Sequence, residues 1–261
     1  CRAHDAFADT GVVRRSSSVH EEDHMIRIAG LRKNFGALEV LQGIDARIPA
    51  GTVTGIVGPN AAGKTTLIKS ILGLTRPDCG IIEVDGERVN GDELYRRRIG
   101  YMPQIARFPS NLSGAELLAM LRELRPDASE TDEELIRTFG LGLELSKKLN
   151  TLSGGTRQKI NAVAAFMFKP DLLILDEPTA GLDPRSSSVL KDKILAERRN
   201  GRTFVVTSHV MTELEELADE VIFISDGKVR FSGSIRQIKD LTRQANLERA
   251  VAELMRSGVA A

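Results

Sequence analysis

Residues 58–66, GPNAAGKTT, fit the pattern G-x-x-x-x-G-K-[ST], which builds a phosphate cradle. In such a loop Gly58, Pro59, Asn60, Ala61, Ala62 and Gly63 offer backbone N–H groups to an anion. The first turn of the helix that follows adds its positive dipole end. Lys64 is placed to reach the β- and γ-phosphates of a nucleotide, Thr65 to ligate Mg2+, and Thr66 completes the motif. A glycine turn before an ordinary helix would not require Lys-Thr after its last glycine. Ala61 stands where loops of this look often carry a further glycine. If that position needs a positive φ, its Cβ costs about 1–2 kcal/mol, enough to weaken binding roughly tenfold without abolishing it.

Two other groups could act on what the loop holds. The stretch LLILDEP, residues 172–178, is an apolar strand ending in two carboxylates. Asp176 is placed to hold the Mg2+ shell, and Glu177 beside it to polarise an attacking water. LSGGTRQK, residues 152–159, runs into the helical INAVAAFMF, so Ser153, Gly154 and Gly155 form a second anion site at a helix start. Two anion sites separated by a long helical segment are reconciled if two chains each cap the other's nucleotide, as closed two-fold symmetry favours.

These groups need rigid carriers, and the pattern along the chain supplies them. Residues 25–58 read as β-segments broken by turns at Gly30, Gly36, Gly43 and Pro49-Ala50-Gly51, with VTGIVG a short strand feeding the phosphate loop. Leu67, Ile68, Ile71, Leu72 and Leu74 then follow helical spacing. From about 108 to 150 the strand signal disappears; Ser113 and Glu116 form a capping box before a leucine-rich helix, and Gly140 stops a second one. Strands return at DLLILDEP and TFVVTSHV, and EVIFISDGKVRFSG reads as a hairpin turning at Asp226-Gly227. Leu247, Ala250, Val251, Leu254 and Met255 make a final helical stripe, expected to pack on that hairpin. Strands alternating with helices imply an α/β fold with a largely parallel sheet and an antiparallel portion.

Composition narrows the partners. Lys+Arg and Asp+Glu are equal at 36 each, so no basic field points to nucleic acid or an anionic membrane surface. No apolar run reaches the roughly 18–20 residues a spanning helix needs, so a membrane role would come through a partner. Cys1 and Cys79 make no disulfide framework, which sets a reducing compartment as the default and Cys79 as a small stand-in for serine. Residues 1–24 hold three of the four histidines without periodicity and read as a disordered leader or an upstream extension, and the spacing of His4, His20 and His24 matches no metal site.

GPNAAGKT, LSGGTRQK, LLILDEP, AGLDP and the TSH at Thr207-Ser208-His209, in this order, resemble the nucleotide-binding subunit of an ABC transporter over residues 25–232. The resemblance implies a P-loop NTPase with a RecA-like, mostly parallel sheet, an antiparallel β subdomain and an inserted helical subdomain at about 105–160. The ATPase domain would run from 25 to 240 and a C-terminal helix from 241 to 261. It further implies that Phe35 stacks on the base, that Gln104 senses Mg2+ and the γ-phosphate, that Asp183 crosses a dimer, and that His209 contacts the γ-phosphate. ATP and Mg2+ would be the ligands; a second ATP-binding subunit and a separate membrane permease would be the partners, with no nucleic acid. Thr156 departs from the usual signature residue one step past the glycines, with little effect expected. A soluble ATPase of DNA repair, chromosome organisation or translation is the alternative. Against it, Lys64 and Asp176 lie only about 110 positions apart with no heptad run, and one cassette is present. The wording of PTAGLDP and the short tail resemble exporters with a separate permease chain, importers being the other option.

Overall fold

The computed structural model describes residues 24–91, 93–128 and 130–257. The expectations for residues 1–23, including His4 and His20, therefore lie outside the described residues; His24 begins the first strand. An antiparallel sheet runs in the order β2 (Leu38–Pro49), β1 (His24–Phe35), β4 (Cys79–Val84), β5 (Glu87–Arg88). Gly30 and Gly43, expected as turns, sit inside β1 and β2 at register shifts, with φ of 57° and 85°. The chain reverses at Gly36 and Ala37 and again at Ala50 and Gly51. Cys79 is disulfide-bonded rather than free.

The second sheet runs in the order β10 (Lys228–Ser234), β9 (Glu220–Ser225), β3 (Val53–Val57), β8 (Thr203–Thr207), β7 (Leu172–Asp176), β6 (Ile99–Met102). All neighbouring pairs are parallel except β9 and β10, which form the hairpin through Asp226 and Gly227, both at positive φ. Every residue of β3, β7 and β8 is buried. Their side chains alternate between two cores. Leu173, Leu175, Phe204 and Val206 point into one, and Leu172, Ile174 and Val205 into the other. Each such side chain contributes about 1.5–3 kcal/mol by leaving water.

One core also takes in the antiparallel sheet and α1 (Lys64–Ile71), through Leu67, Ile68 and Ile71; Leu74, expected on that face, is exposed. The other core holds α2 (Gly114–Glu123), α3 (Glu134–Thr138), α4 (Gly154–Phe166), α5 (Pro184–Arg199) and α6 (Met211–Leu217). Between β6 and β7 the described residues form helices and turns, with one isolated bridge from Ser113 to Lys148. The capping box is present: Glu116 N–H donates to Ser113 Oγ at 3.2 Å and Ser113 N–H to Glu116 Oε2 at 2.7 Å. After β10 come α7 (Ile235–Thr242) and α8 (Leu247–Ser257). Leu247, Ala250, Val251 and Leu254 are buried, but against α6 and α7 rather than chiefly the hairpin, and Met255 is half exposed.

A buried cation ties the helical segment to α5. Lys193 Nζ lies 2.6 Å from Asp132, 2.7 Å from Glu134 and 2.9 Å from Glu197, and its side chain is 5% exposed. Burial opposes the charge on Lys193, but its hydrogen bonds to these carboxylates outweigh burial and hold the ammonium above its usual range. Burial likewise opposes the Asp132 carboxylate, yet the Lys193 and Glu134 N–H hydrogen bonds hold it below its usual range. Because the folded pKa of Asp132 is depressed, its contribution is present above the unfolded value near 4 and is lost as pH falls through the folded one. Lys193→Met strands these carboxylates, and urea unfolding at pH 7 is expected to show a loss of about 3 kcal/mol. The same titrations carried from pH 7 to pH 3 should show a smaller acid-induced decline in the variant than in the wild type.

Candidate nucleotide site

Four parallel strands end side by side, and ligands of open α/β sheets gather at such carboxyl ends. β3 runs into the loop 58–63, β7 ends in Asp176, β8 ends in Thr207, and Pro103 and Gln104 follow β6. A cleft of about 530 Å³ opens there, lined by residues 60–66, Gln104, Asp176, Glu177 and His209, with Leu38 and Val40 of β2 at one side. Leu38 and Val40 were not singled out in the sequence; their only local signal is the strand alternation in ALEVLQG.

The loop is held by backbone geometry. Gly63 has φ 103°, and a Cβ there would lie 2.8 Å from Leu41 Cδ2 and 3.0 Å from the Val40 carbonyl oxygen. Ala61 has φ 63°, the left-handed conformation in which its Cβ costs about 1–2 kcal/mol. α1 starts without a side-chain cap, which leaves its first-turn N–H groups free to serve an anion. Lys64 Nζ donates to the carbonyl oxygens of Gly58 at 2.6 Å and Pro59 at 2.9 Å. Burial lowers the Lys64 pKa, and the nearby charges of Glu177 and Asp176 only partly restore it.

The acidic side of the cleft is tied to β8. Asp176 and Thr207 are register partners, and Thr207 Oγ1 donates to Asp176 Oδ1 at 2.5 Å. Glu177 has φ 52°, a conformation that side-chain-bearing residues adopt at a cost of about 1–3 kcal/mol. Its N–H is held by both the carbonyl and the hydroxyl of Thr207, each at 3.1 Å. The Glu177 carboxylate accepts the His209 N–H at 3.1 Å and lies 3.3 Å from His209 Nε2. Burial, and then the charge of Asp176, push the Tyr101 phenol up. Glu213 joins the loops after β7 and β8, because its Oε2 accepts from Thr179 Oγ1 at 2.6 Å and from Ser208 Oγ at 3.4 Å. Nothing in the sequence singled out Glu213, since only the folded chain brings position 179 beside position 208.

The Thr65 hydroxyl, the Gln104 amide and the Asp176 carboxylate line this one cleft. They are hard oxygen donors with a single carboxylate, a set that fits Mg2+ when phosphate oxygens supply the remaining positions. Among the described residues no group of three or more His, Cys, Asp and Glu side chains could hold a metal unaided.

Ser153, Gly154, Gly155 and Asp183 do not line the cleft. Ser153 caps α4, its Oγ accepting the Thr156 N–H at 3.1 Å. Thr156 Oγ1 also lies 2.8 Å from Ser153 Oγ, so this position touches the helix-cap serine directly, a contact its place past the glycines did not reveal. A Cβ on Gly155 would meet the Gly181 carbonyl oxygen at 2.8 Å, packing the start of α4 against the loop that leads to Asp183. Asp183 caps α5 by accepting from Ser186 Oγ at 2.7 Å and Ser186 N–H at 2.9 Å, and it lies 3.0 Å from Lys159 Nζ. Those hydrogen bonds and the Lys159 charge hold its carboxyl well below the usual range. Phe35 ends β1 with its ring half exposed, 5.3 Å beneath Lys33 Nζ, and it too lies outside the cleft lining.

A family model described as ABC transporter matches residues 41–180. The daunorubicin/doxorubicin resistance ATP-binding protein DrrA of Streptomyces peucetius is 39% identical over 82% of this chain, which spans 66% of that protein's length. A Nod factor export ATP-binding protein I of Burkholderia lata is 33% identical over 78% of this chain and 68% of its own. A solved structure of an ATP-binding subunit of an ABC transporter superposes with a TM-score of 0.80 at 28% identity, covering 88% of this chain and 99% of that one.

Ala61→Gly removes the left-handed strain but gives the unfolded chain back about 0.4–1 kcal/mol of conformational freedom. Denaturant titration is expected to show a net gain of between about 0 and about 1.6 kcal/mol. ATP affinity should change by no more than a few-fold, and activity that appeared only in the glycine variant would contradict a working Ala61 loop.

Proposed function

The chain belongs to the ABC transporter family, and on that premise we propose that it binds and hydrolyses ATP to energise a separate membrane permease, in the direction of export. The observation that carries the catalytic reading is one cleft lined by Lys64, Thr65, Gln104, Asp176, Glu177 and His209. In this reading Lys64 exchanges the Gly58 and Pro59 carbonyls for β- and γ-phosphate oxygens, where its charge is stabilised more than it is in the half-buried loop. Thr65, Asp176 and Gln104 would hold Mg2+, which would supply neutralisation of the charge that develops on the transferred phosphoryl group. Glu177 accepts a proton from the attacking water. His209, in contact with that carboxylate, holds the γ-phosphate beside it. Phe35 offers its exposed ring to the base, and stacking on an aromatic contributes about 1–3 kcal/mol.

The second anion site is outside the cleft, and this favours two copies, or this chain with a similar subunit, each placing Ser153, Gly154 and Gly155 on the other's nucleotide and Asp183 across the interface. ATP then shifts the population toward the closed pair, and hydrolysis releases it. We assign residues 25–240 to the ATPase domain and about 105–160 to its helical subdomain; of the stretch from 241 onward expected as one C-terminal helix, α8 (Leu247–Ser257) is the helical part among the described residues, after α7 ends at Thr242. No helix among the described residues is long and apolar enough to cross a membrane; in this reading the chain couples to the permease on its cytoplasmic face. The relatives' names speak of daunorubicin/doxorubicin resistance and Nod factor export, which supports export over import and over a DNA or translation role.

Glu177→Gln removes the proton acceptor while keeping the shape, so steady-state hydrolysis should fall by about 10²–10⁴-fold with nucleotide affinity retained. Affinity capture from detergent-solubilised membranes should enrich a polytopic protein; its consistent absence would sink the permease assignment.

A further inference from the structure

Gln158 and Asn161 lie one turn apart on α4, 7% and 2% exposed. Burying two primary amides is costly unless their hydrogen bonds are made, and here they are made in series. Asn161 Nδ2 donates to the Pro103 carbonyl oxygen at 2.8 Å and to Gln158 Oε1 at 3.3 Å. Gln158 Nε2 donates onward to the Pro178 carbonyl oxygen at 3.3 Å. The two carbonyls are not arbitrary ends. Pro103 immediately precedes Gln104, and Pro178 immediately follows Glu177. The helix that carries the amides begins at the Ser153 cap.

Packing alone does not call for these side chains. Ile160, Ala162 and Val163 already seat α4 in the core, and an apolar residue of the same size would fill either position. What the amides add is directional: they fix two loops of the cleft to one helix through polar bonds that carry a defined geometry.

We propose that Gln158 and Asn161 are positioning residues that link Gln104 and Glu177 to α4, so that engagement of Ser153 by the neighbouring copy's nucleotide sets the spacing of Gln104 and Glu177 in this chain's own cleft. The proposal rests on the ATPase reading above. It makes the two sites of a pair communicate through the body of each subunit, by a short buried relay rather than across the interface alone.

The test uses the full chain with Asn161→Leu, Gln158→Met and the double variant. Steady-state ATP hydrolysis, binding of a fluorescent ATP analogue and thermal melting are measured on each. Asn161→Leu should lower kcat about tenfold with KM and nucleotide affinity changed less than about twofold, the signature of an interaction made in the transition state. Gln158→Met, which cuts the Pro178 arm and removes the acceptor for Asn161 but leaves the Asn161–Pro103 bond, should lose about threefold, and the double variant should be no slower than Asn161→Leu, because one relay is broken once. Unchanged kcat in a folded Asn161→Leu, losses that multiply, or a KM that rises in step with the fall in kcat would each overturn the relay. If Asn161→Leu does not fold, Gln158→Met decides: an unchanged kcat overturns the proposal, and a threefold fall at constant KM upholds it. A wild type that binds ATP but does not hydrolyse it overturns the ATPase reading and this proposal with it; a hydrolysing wild type beside unaffected variants overturns this proposal alone.

Discussion

A strand buried on both faces can present chemistry only at its ends, and that constraint governs this molecule. β3, β7 and β8 are covered on both sides along their whole length, so none of their side-chain positions between the ends is available to a ligand. Their parallel direction sends all carboxyl ends to one edge of the sheet. The phosphate loop, the two carboxylates and the loop bearing His209 meet there because the strands before them have no alternative exit. β6 adds Gln104 from the same edge. The site is a consequence of the core, and its precision depends on how firmly each loop is tied down where the strand stops.

Those ties are short polar contacts between neighbouring strand ends. Thr207 makes three contacts to two groups, the Asp176 carboxylate by its hydroxyl and the Glu177 N–H by both hydroxyl and carbonyl. It thereby holds Glu177 at positive φ, where a β-conformation would aim the carboxylate elsewhere. Ala61, which lines the same cleft, is strained in the same sense. Two non-glycine residues in left-handed conformations at one site mark where the fold gives up local stability for geometry, and both are compensated by the buried sheet behind them.

The pattern of strands and helices was legible because each rests on local signals: two-sided apolar runs for β3, β7 and β8, the Ser113–Glu116 capping box, and Asp226-Gly227 between alternating strands. The φ demanded of Ala61 was legible as a question, since the motif around it defines the turn. Gly30 and Gly43 were misread because a bulge and a turn use the same residue; only pairing across the sheet distinguishes them. The contact of Thr156 with Ser153 was not legible, because sequence distance from the glycines says nothing about which way a first-turn side chain points. The long-range contacts of Glu213, Gln158, Asn161 and Lys193 had no local signature, although the Lys193–Glu197 and Gln158–Asn161 pairs follow helical spacing. Each joins segments far apart in the chain, and a buried polar residue in a helix reads as neutral until its partners are in place.

The C-terminal helices show how far such ties extend from the chemistry. α6 begins two residues after His209, and it is gripped from both sides. Leu214 and Leu217 are buried in the core, while Glu215 accepts the Leu247 N–H at the start of α8 at 3.0 Å and pairs with Lys239 of α7. Those two bonds hold the Glu215 carboxyl below its usual range against the opposing effect of burial. An α6 free to rotate would carry Glu213 away from Thr179 and Ser208, and with it the support beneath His209. The amphipathic stripe of α8 thus does more than cover apolar surface: by fixing α6 it helps fix the loop that faces Glu177, which places the tail within the mechanical frame of the site although none of its residues reaches the cleft.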